Sequence, residues 1–261
     1  MTPGFSGAEI ENLVNHAIID GVDNNLELLK ENNFEEARDR VLTGIKLNIP
    51  KETIKNILQT AVHESGHILT CLLDDICKED IHKVSIVNRG ASKSKTYSLS
   101  NDNTQGTKEE MISWLDVSLG GRFAEEIYYN DENKISTGCE NGDLQKATKL
   151  AKSMIKTYGM TKSQFGLQVI DDSSHIVSHK ISESTRDKID SVTVDLINTR
   201  SKIIKKKLIE NSELLKVIIK NLISYEELTK SDLEELMKGK ILTNKPLKNQ
   251  EVIKLFEQKK L

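Results

Sequence analysis

The segment His63-Glu64-Ser65-Gly66-His67 sits inside an apolar run that includes Leu58, Ala61, Val62, Ile68, Leu69 and Leu72. Few local features constrain a chain more tightly. The apolar neighbours call for burial, and buried ionisable groups are costly unless something pairs with them. On an α-helix, positions i and i+4 share a face about one turn apart, so both imidazoles can reach a single metal ion. Glu64 lies beside that face, where its carboxylate can take a proton from an attacking water. Zinc favours nitrogen ligands with one coordination position left open, so the pattern reads as the core of a zinc hydrolase acting on amide bonds. The bland alternative is a buried helix with two satisfied histidines, and the cost of clustering such groups without a partner weighs against it.

The rest of the chain narrows the setting. A length of 261 residues suits one large or two modest domains. Aromatic residues make up only 4% against 37% hydrophobic, which points to helices packed through Ile, Leu and Val. Charged residues reach 30% but the net charge is only −3, so no global field argues for nucleic acid or an anionic membrane. Cys71, Cys77 and Cys139 form no C-x-x-C pair, which fits a reducing or organellar interior better than a disulfide scaffold. Cys71 lies about 12 Å along the helix axis from His63, too far to share its ion, and is expected to pack. No stretch approaches the roughly 20 apolar residues of a membrane helix, and no phosphate loop of the G-x-x-x-x-G-K-[ST] type occurs. The amino terminus shows no targeting pattern and reads as though cut from something longer.

Periodicity predicts a mainly α protein. A helix over 6–20 is opened by Ser6 with Glu9 three residues on, a capping-box pattern. Others follow at about 34–45, 51–77 after Pro50, 108–129, 142–158, 183–210, 212–223 and 230–238. One or two short strands are expected within 81–99, followed by a loop. Gly120-Gly121 interrupts the 108–129 helix and is expected to let another helix approach closely. Residues 241–261 are expected to form a polar, flexible tail.

Two histidines do not hold catalytic zinc, so a third ligand must come from elsewhere. The form with a third histidine, H-E-x-x-H-x-x-G-x-x-H, is excluded because Thr70 and Leu73 stand at its last two fixed positions. A carboxylate on another helix is required, and both Glu125 and Asp143 qualify. For Asp143 the competing role is a first-turn acid favoured by the helix dipole; for Glu125 it is a salt bridge or an acceptor behind a ligand. The residues alone leave the choice open.

Several ordered motifs now bear on it. Thr2-Pro3-Gly4-Phe5-Ser6-Gly7-Ala8-Glu9, Phe34 to Val41, His63 to His67, His82 to Val87, Leu119 to Glu126, Ser136-Thr137-Gly138 and Tyr158-Gly159-Met160 follow one another along the chain. In that order they resemble the carboxy-terminal part of FtsH-type proteases, the membrane-anchored, ATP-dependent zinc metalloproteases of bacteria, mitochondria and plastids. The resemblance extends to about residue 240. It implies a helical zinc metallopeptidase domain over 51–240, preceded by the end of an ATPase lid over 1–46. It implies zinc held by His63, His67 and Asp143, with Glu64 as general base and Glu125 supporting a ligand histidine. Val84, Ser85 and Ile86 resemble the family's substrate-edge strand, which would hold an extended peptide by main-chain pairing. Ser65 stands where alanine is usual, Cys139 to Gly142 is one residue longer than the family's spacer, and the run after Arg89-Gly90 departs from its pattern.

The implied activity is endoproteolysis of unfolded polypeptides. The implied assembly is a homo-hexamer, with membrane contact only through segments outside this chain and no role for nucleic acid. The full-length protein would reside in an organellar membrane, plastid or mitochondrion, with this chain alone soluble. A non-catalytic ring-assembly domain with a degenerate metal site is the alternative from another class.

Overall fold

The computed structural model describes residues 2, 4–44, 54–79, 81–87, 95–98, 106–136, 142–170, 181–242 and 247–258. Pro50, Arg89-Gly90, Thr137-Gly138 and the Cys139–Asn141 spacer lie outside the described residues. The chain is mainly helical, as periodicity predicts. Two helices come first, α1 (Gly7–Asp23) and α2 (Glu31–Thr43). The capping box forms at the head of α1: the Ser6 hydroxyl accepts from the Glu9 amide at 3.4 Å, and the Ser6 amide donates to Glu9 Oε2 at 2.8 Å. The pair shares a small core of its own, built on Leu13, Ala17 and Ala37.

The motif helix α3 (Ile54–Leu72) is buried along nearly its whole second half, from Ala61 to Cys71. It ends at Leu72, short of residue 77, and a 3₁₀ turn over Cys77–Glu79 leads into the sheet. Asp74 caps that turn by accepting from the amides of Ile76 and Cys77, and Ser113 donates to it at 3.0 Å. Cys71 and Cys77 are both buried, so Cys71 packs as expected.

The main core is formed by α3 with α4 (Lys108–Tyr129), α5 (Asp143–Lys156), α7 (Glu183–Glu210) and α8 (Ser212–Tyr225). Leu69, Leu115, Leu208, Ile218 and Leu222 are completely buried there. Each is worth about 1.5–3 kcal/mol relative to leaving it in water. The α3–α4 contact is the most extensive in the molecule, and glycines allow it. A Cβ on Gly66 would run into the Gly120 carbonyl, and one on Gly120 would lie 2.6 Å from the Gly66 carbonyl oxygen. The expected close approach at Gly120 is therefore made backbone to backbone. Arg200 on α7 grips Asp116 on α4 with two nitrogens, Nε at 2.8 Å from Oδ1 and Nη2 on Oδ2. The short α6 (Lys162–Phe165) precedes α7, and α9 (Lys230–Met237) follows α8.

The strands differ from the sequence reading in one respect that matters for function. Strands β1 (Ile81–Ser85) and β2 (Lys95–Ser98) pair antiparallel, as a two-strand reading of 81–99 allows. A third strand, β3 (Glu227–Thr229), pairs antiparallel with the other side of β1, so the order is β2-β1-β3 and β1 is central. Val84 faces Thr96 on one side and Leu228 on the other, Ser85 faces Lys95 and Glu227, and the Ile86 amide donates to the Glu226 carbonyl at 2.9 Å. Val84, Ser85 and Ile86 are all buried. The expectation that they take a peptide by main-chain pairing is corrected: both hydrogen-bonding edges of β1 are already used within the chain.

A buried charge cluster joins the N-terminal pair to this sheet. Asp39 on α2 is 0% exposed and accepts from Lys83 Nζ on β1, while Arg38 Nη2 lies 3.3 Å from its other oxygen. Lys83 also stands 3.8 Å from Glu227 on β3.

The expectation of a flexible tail over 241–261 is also corrected. Residues Gln250–Gln258 form α10, which places Val252 and Phe256 in the main core. Phe256 stacks on Tyr128 of α4 with ring centroids 5.8 Å apart. Ile253 packs against the same core, so α10 docks through an apolar face of its own. Among the described residues, no helix is long and apolar enough to cross a membrane.

Candidate metal centre

His63 and His67 stand one turn apart on α3, both buried, their rings edge to face with centroids 4.7 Å apart. Their Nε2 atoms are 3.0 Å from each other. Asp143, the first residue of α5, brings Oδ2 to 3.0 Å from His63 Nε2 and 3.4 Å from His67 Nε2. The structure thus brings Asp143, and not Glu125, to the pair, and the three groups form the one cluster of metal-ligating type found among the described residues.

Glu125 lies behind. Its Oε1 is 2.5 Å from His63 Nδ1, and the Ser136 amide and hydroxyl each donate to it at 2.6 Å. His67 Nδ1 points at the Val117 carbonyl at 2.6 Å. Both partners can only accept, so each ring carries its proton on Nδ1 and presents the Nε2 lone pair to the other. With Asp143 Oδ2, three donor atoms converge on one point, an arrangement suited to a bound cation. Four-coordinate zinc with bonds of about 2.0–2.1 Å requires ligand atoms roughly 3.3–3.4 Å apart, close to the 3.0–3.4 Å found here. The donor set fits zinc.

The electrostatics follow from the same convergence. Burial opposes a charge on His63, but its hydrogen bonds to Asp143 and Glu125 outweigh burial and push the imidazole up to about 10. Burial likewise opposes ionisation of Asp143 and Glu125; hydrogen bonds from His63 and His67, and from His63 and Ser136, hold both below the usual carboxylate range. Lys146, one turn along α5, lies 3.0 Å from the second Asp143 oxygen. Glu64 is buried next to His63 on α3, and its negative charge also favours the protonated ring. A cavity lined by Ser118, Leu119, Arg122 and Leu144 opens beside His63 and Asp143.

Three contributors escape a reading of residues alone. The Val117 carbonyl carries no side-chain signature. Ser136 stands in a recognisable Ser-Thr-Gly segment, yet nothing local says that it grips Glu125. Gly121 signals close packing, but not against what.

Fold and site together define a helical protein in which two histidines and one carboxylate gather as a candidate metal site, with a buried glutamate beside the first histidine. The family model described as Peptidase family M41 matches residues 50–236, and the chain belongs to that family. It is 33% identical over 223 residues to the ATP-dependent zinc metalloprotease FtsH of Myxococcus xanthus, covering 82% of this chain and 34% of that protein. It is 42% identical over 162 residues to the ATP-dependent zinc metalloprotease YME1 homolog of Caenorhabditis elegans, covering 60% of this chain and 22% of that protein. The YME1 homolog of Schizosaccharomyces pombe is 37% identical over 161 residues, 61% of this chain and 22% of that protein. The chain spans about a third or less of the length of these curated relatives.

Proposed function

We propose that this chain is the zinc-dependent endopeptidase part of a longer ATP-dependent protease that degrades unfolded polypeptides. His63, His67 and Asp143 hold the metal and Glu64 is the general base. The observation that carries the reading is the convergence of the two Nε2 atoms and Asp143 Oδ2 within 3.4 Å, with Glu64 buried alongside. Zinc bound there would polarise the scissile carbonyl and lower the pKa of a water to about 7. Glu64 accepts the proton of the attacking water as the new C–O bond forms, then gives it to the amine nitrogen as the C–N bond breaks. Glu125 and the Val117 carbonyl hold the two imidazoles in the tautomer that keeps Nε2 free for the metal.

Because β1 is paired on both sides, the extended substrate is assigned to the outer edge of β2. That edge has no strand partner among the described residues, and β2 packs against α3. A complete three-donor cluster weighs against a ring-assembly domain with a degenerate site. The test is cleavage of unfolded casein. Zinc-loaded protein is expected to cut it and chelation to abolish the cutting, with activity restored by added zinc. Cleavage that persists after full chelation would sink the reading.

The longer protein is further proposed to be a homo-hexamer anchored in an organellar membrane, with residues 1–46 ending its ATPase lid. The support is the resemblance of the ordered motifs and the relatives' names. Light scattering of the full-length protein showing a monomer at micromolar concentration would refute the hexamer.

A further inference from the structure

We infer that Gly121 is a positioning residue that keeps the space between the two imidazoles open to the metal ion. The inference rests on the reading of His63, His67 and Asp143 as a zinc site. Val117, Gly121 and Glu125 follow at intervals of four on α4 and face α3 as one stripe. The outer two each take an Nδ1 proton, from His67 and from His63. The middle one lies between the rings. A Cβ on Gly121 would stand 2.7 Å from His67 Nε2, 2.8 Å from His63 Nε2 and 2.7 Å from His63 Cε1. These distances are well inside ordinary carbon contact of about 3.5–4.0 Å. The two nitrogens are also the atoms that present lone pairs to the ion, so a methyl group here competes for the ion's own surroundings.

Relief requires the rings to swing away, which breaks the bonds to Val117 and Glu125 that fix their tautomers. The backbone of Gly121 is ordinary α-helix, so alanine meets no conformational obstacle there and the requirement is one of space. Its neighbour serves a different purpose. A Cβ on Gly120 would meet Thr70 Oγ1 at 2.5 Å and the Gly66 carbonyl oxygen at 2.6 Å, so Gly120 sets the distance between α3 and α4.

The contrast supplies the experiment. The wild-type chain, Gly121→Ala and Gly120→Ala are stripped of metal. Zinc affinity is measured by competition with a chromophoric chelator, and melting temperature with and without zinc. Gly121→Ala is expected to lose about a hundredfold in zinc affinity, the upper end of what a lost supporting group costs. Its metal-free melting temperature is expected to fall less than that of Gly120→Ala, because side chains can move where backbones cannot. Gly120→Ala is expected to melt lower in both states while its folded form binds zinc within about threefold of wild type, less than any lost supporting group costs. The inference is overturned if Gly121→Ala binds zinc as tightly as wild type, or if its metal-free form is destabilised as much as Gly120→Ala. Failure of the wild-type chain itself to bind zinc would overturn the metal site, a result distinct from the other two.

Discussion

Glu64→Gln is expected to keep zinc bound while casein hydrolysis falls by about 10²–10⁴-fold, the usual contribution of a positioned general base. Glutamine matches glutamate in size and fills the same buried place on α3, so packing is preserved. Glu64 is absent from the three-donor cluster, so the metal keeps its ligands. What disappears is an acceptor basic enough to take a proton from water and return it to the leaving amine. The measurement pairs zinc content with steady-state cleavage. A variant that retains zinc and cuts at the wild-type rate would remove Glu64 from the chemistry. A variant that loses its zinc would make Glu64 part of the binding site instead.

Asp39→Ala is expected to cost about 3–5 kcal/mol, the penalty of breaking a buried ion pair and leaving charge behind. Asp39 lies between Lys83 on β1 and Arg38 on its own helix, with all three side chains less than a tenth exposed. The core shared by α1 and α2 is small and built on Leu13, Ala17 and Ala37, so this ionic contact is expected to carry much of their attachment to the sheet. The cost should be largely recovered only when Asp39→Leu is combined with both Lys83→Met and Arg38→Met, because all three buried charges must go before the need to pair them is gone. Hydrogen exchange of the α2 amides reads the effect locally, and denaturant unfolding reads it for the whole chain. Strictly additive costs for the three single substitutions would show that the cluster does not act as a unit.

Much of the site could be read from the residues because its main part is local. His63 and His67 are four apart, and helical geometry alone puts them on one face. The Ser6–Glu9 capping box was legible for the same reason. The third ligand was not, since whether Asp143 or Glu125 reaches the pair depends on how α4 and α5 stack against α3. Both carboxylates proved to touch His63, from opposite sides of its ring. Strand β3 escaped because three residues carry no period and its partner lies far back in the sequence. Without β3, β1 reads as an edge strand; with it, β1 is central. Helix α10 escaped because the short apolar face that orders it, Val252, Ile253 and Phe256, packs on a surface assembled from elements far back in the sequence.

The Asp143 contact also bears on how the chain holds together. A metal ion there would be a removable cross-link, tying a residue at the head of α5 to two residues on α3 across the whole of α4 and the sheet. In the unfolded chain those ends wander freely, and closing so long a loop carries a large entropic cost. Binding that occurs only in the folded state returns free energy in proportion to the logarithm of metal concentration over Kd. Metal supply would then set how long the protease persists as well as whether it cuts.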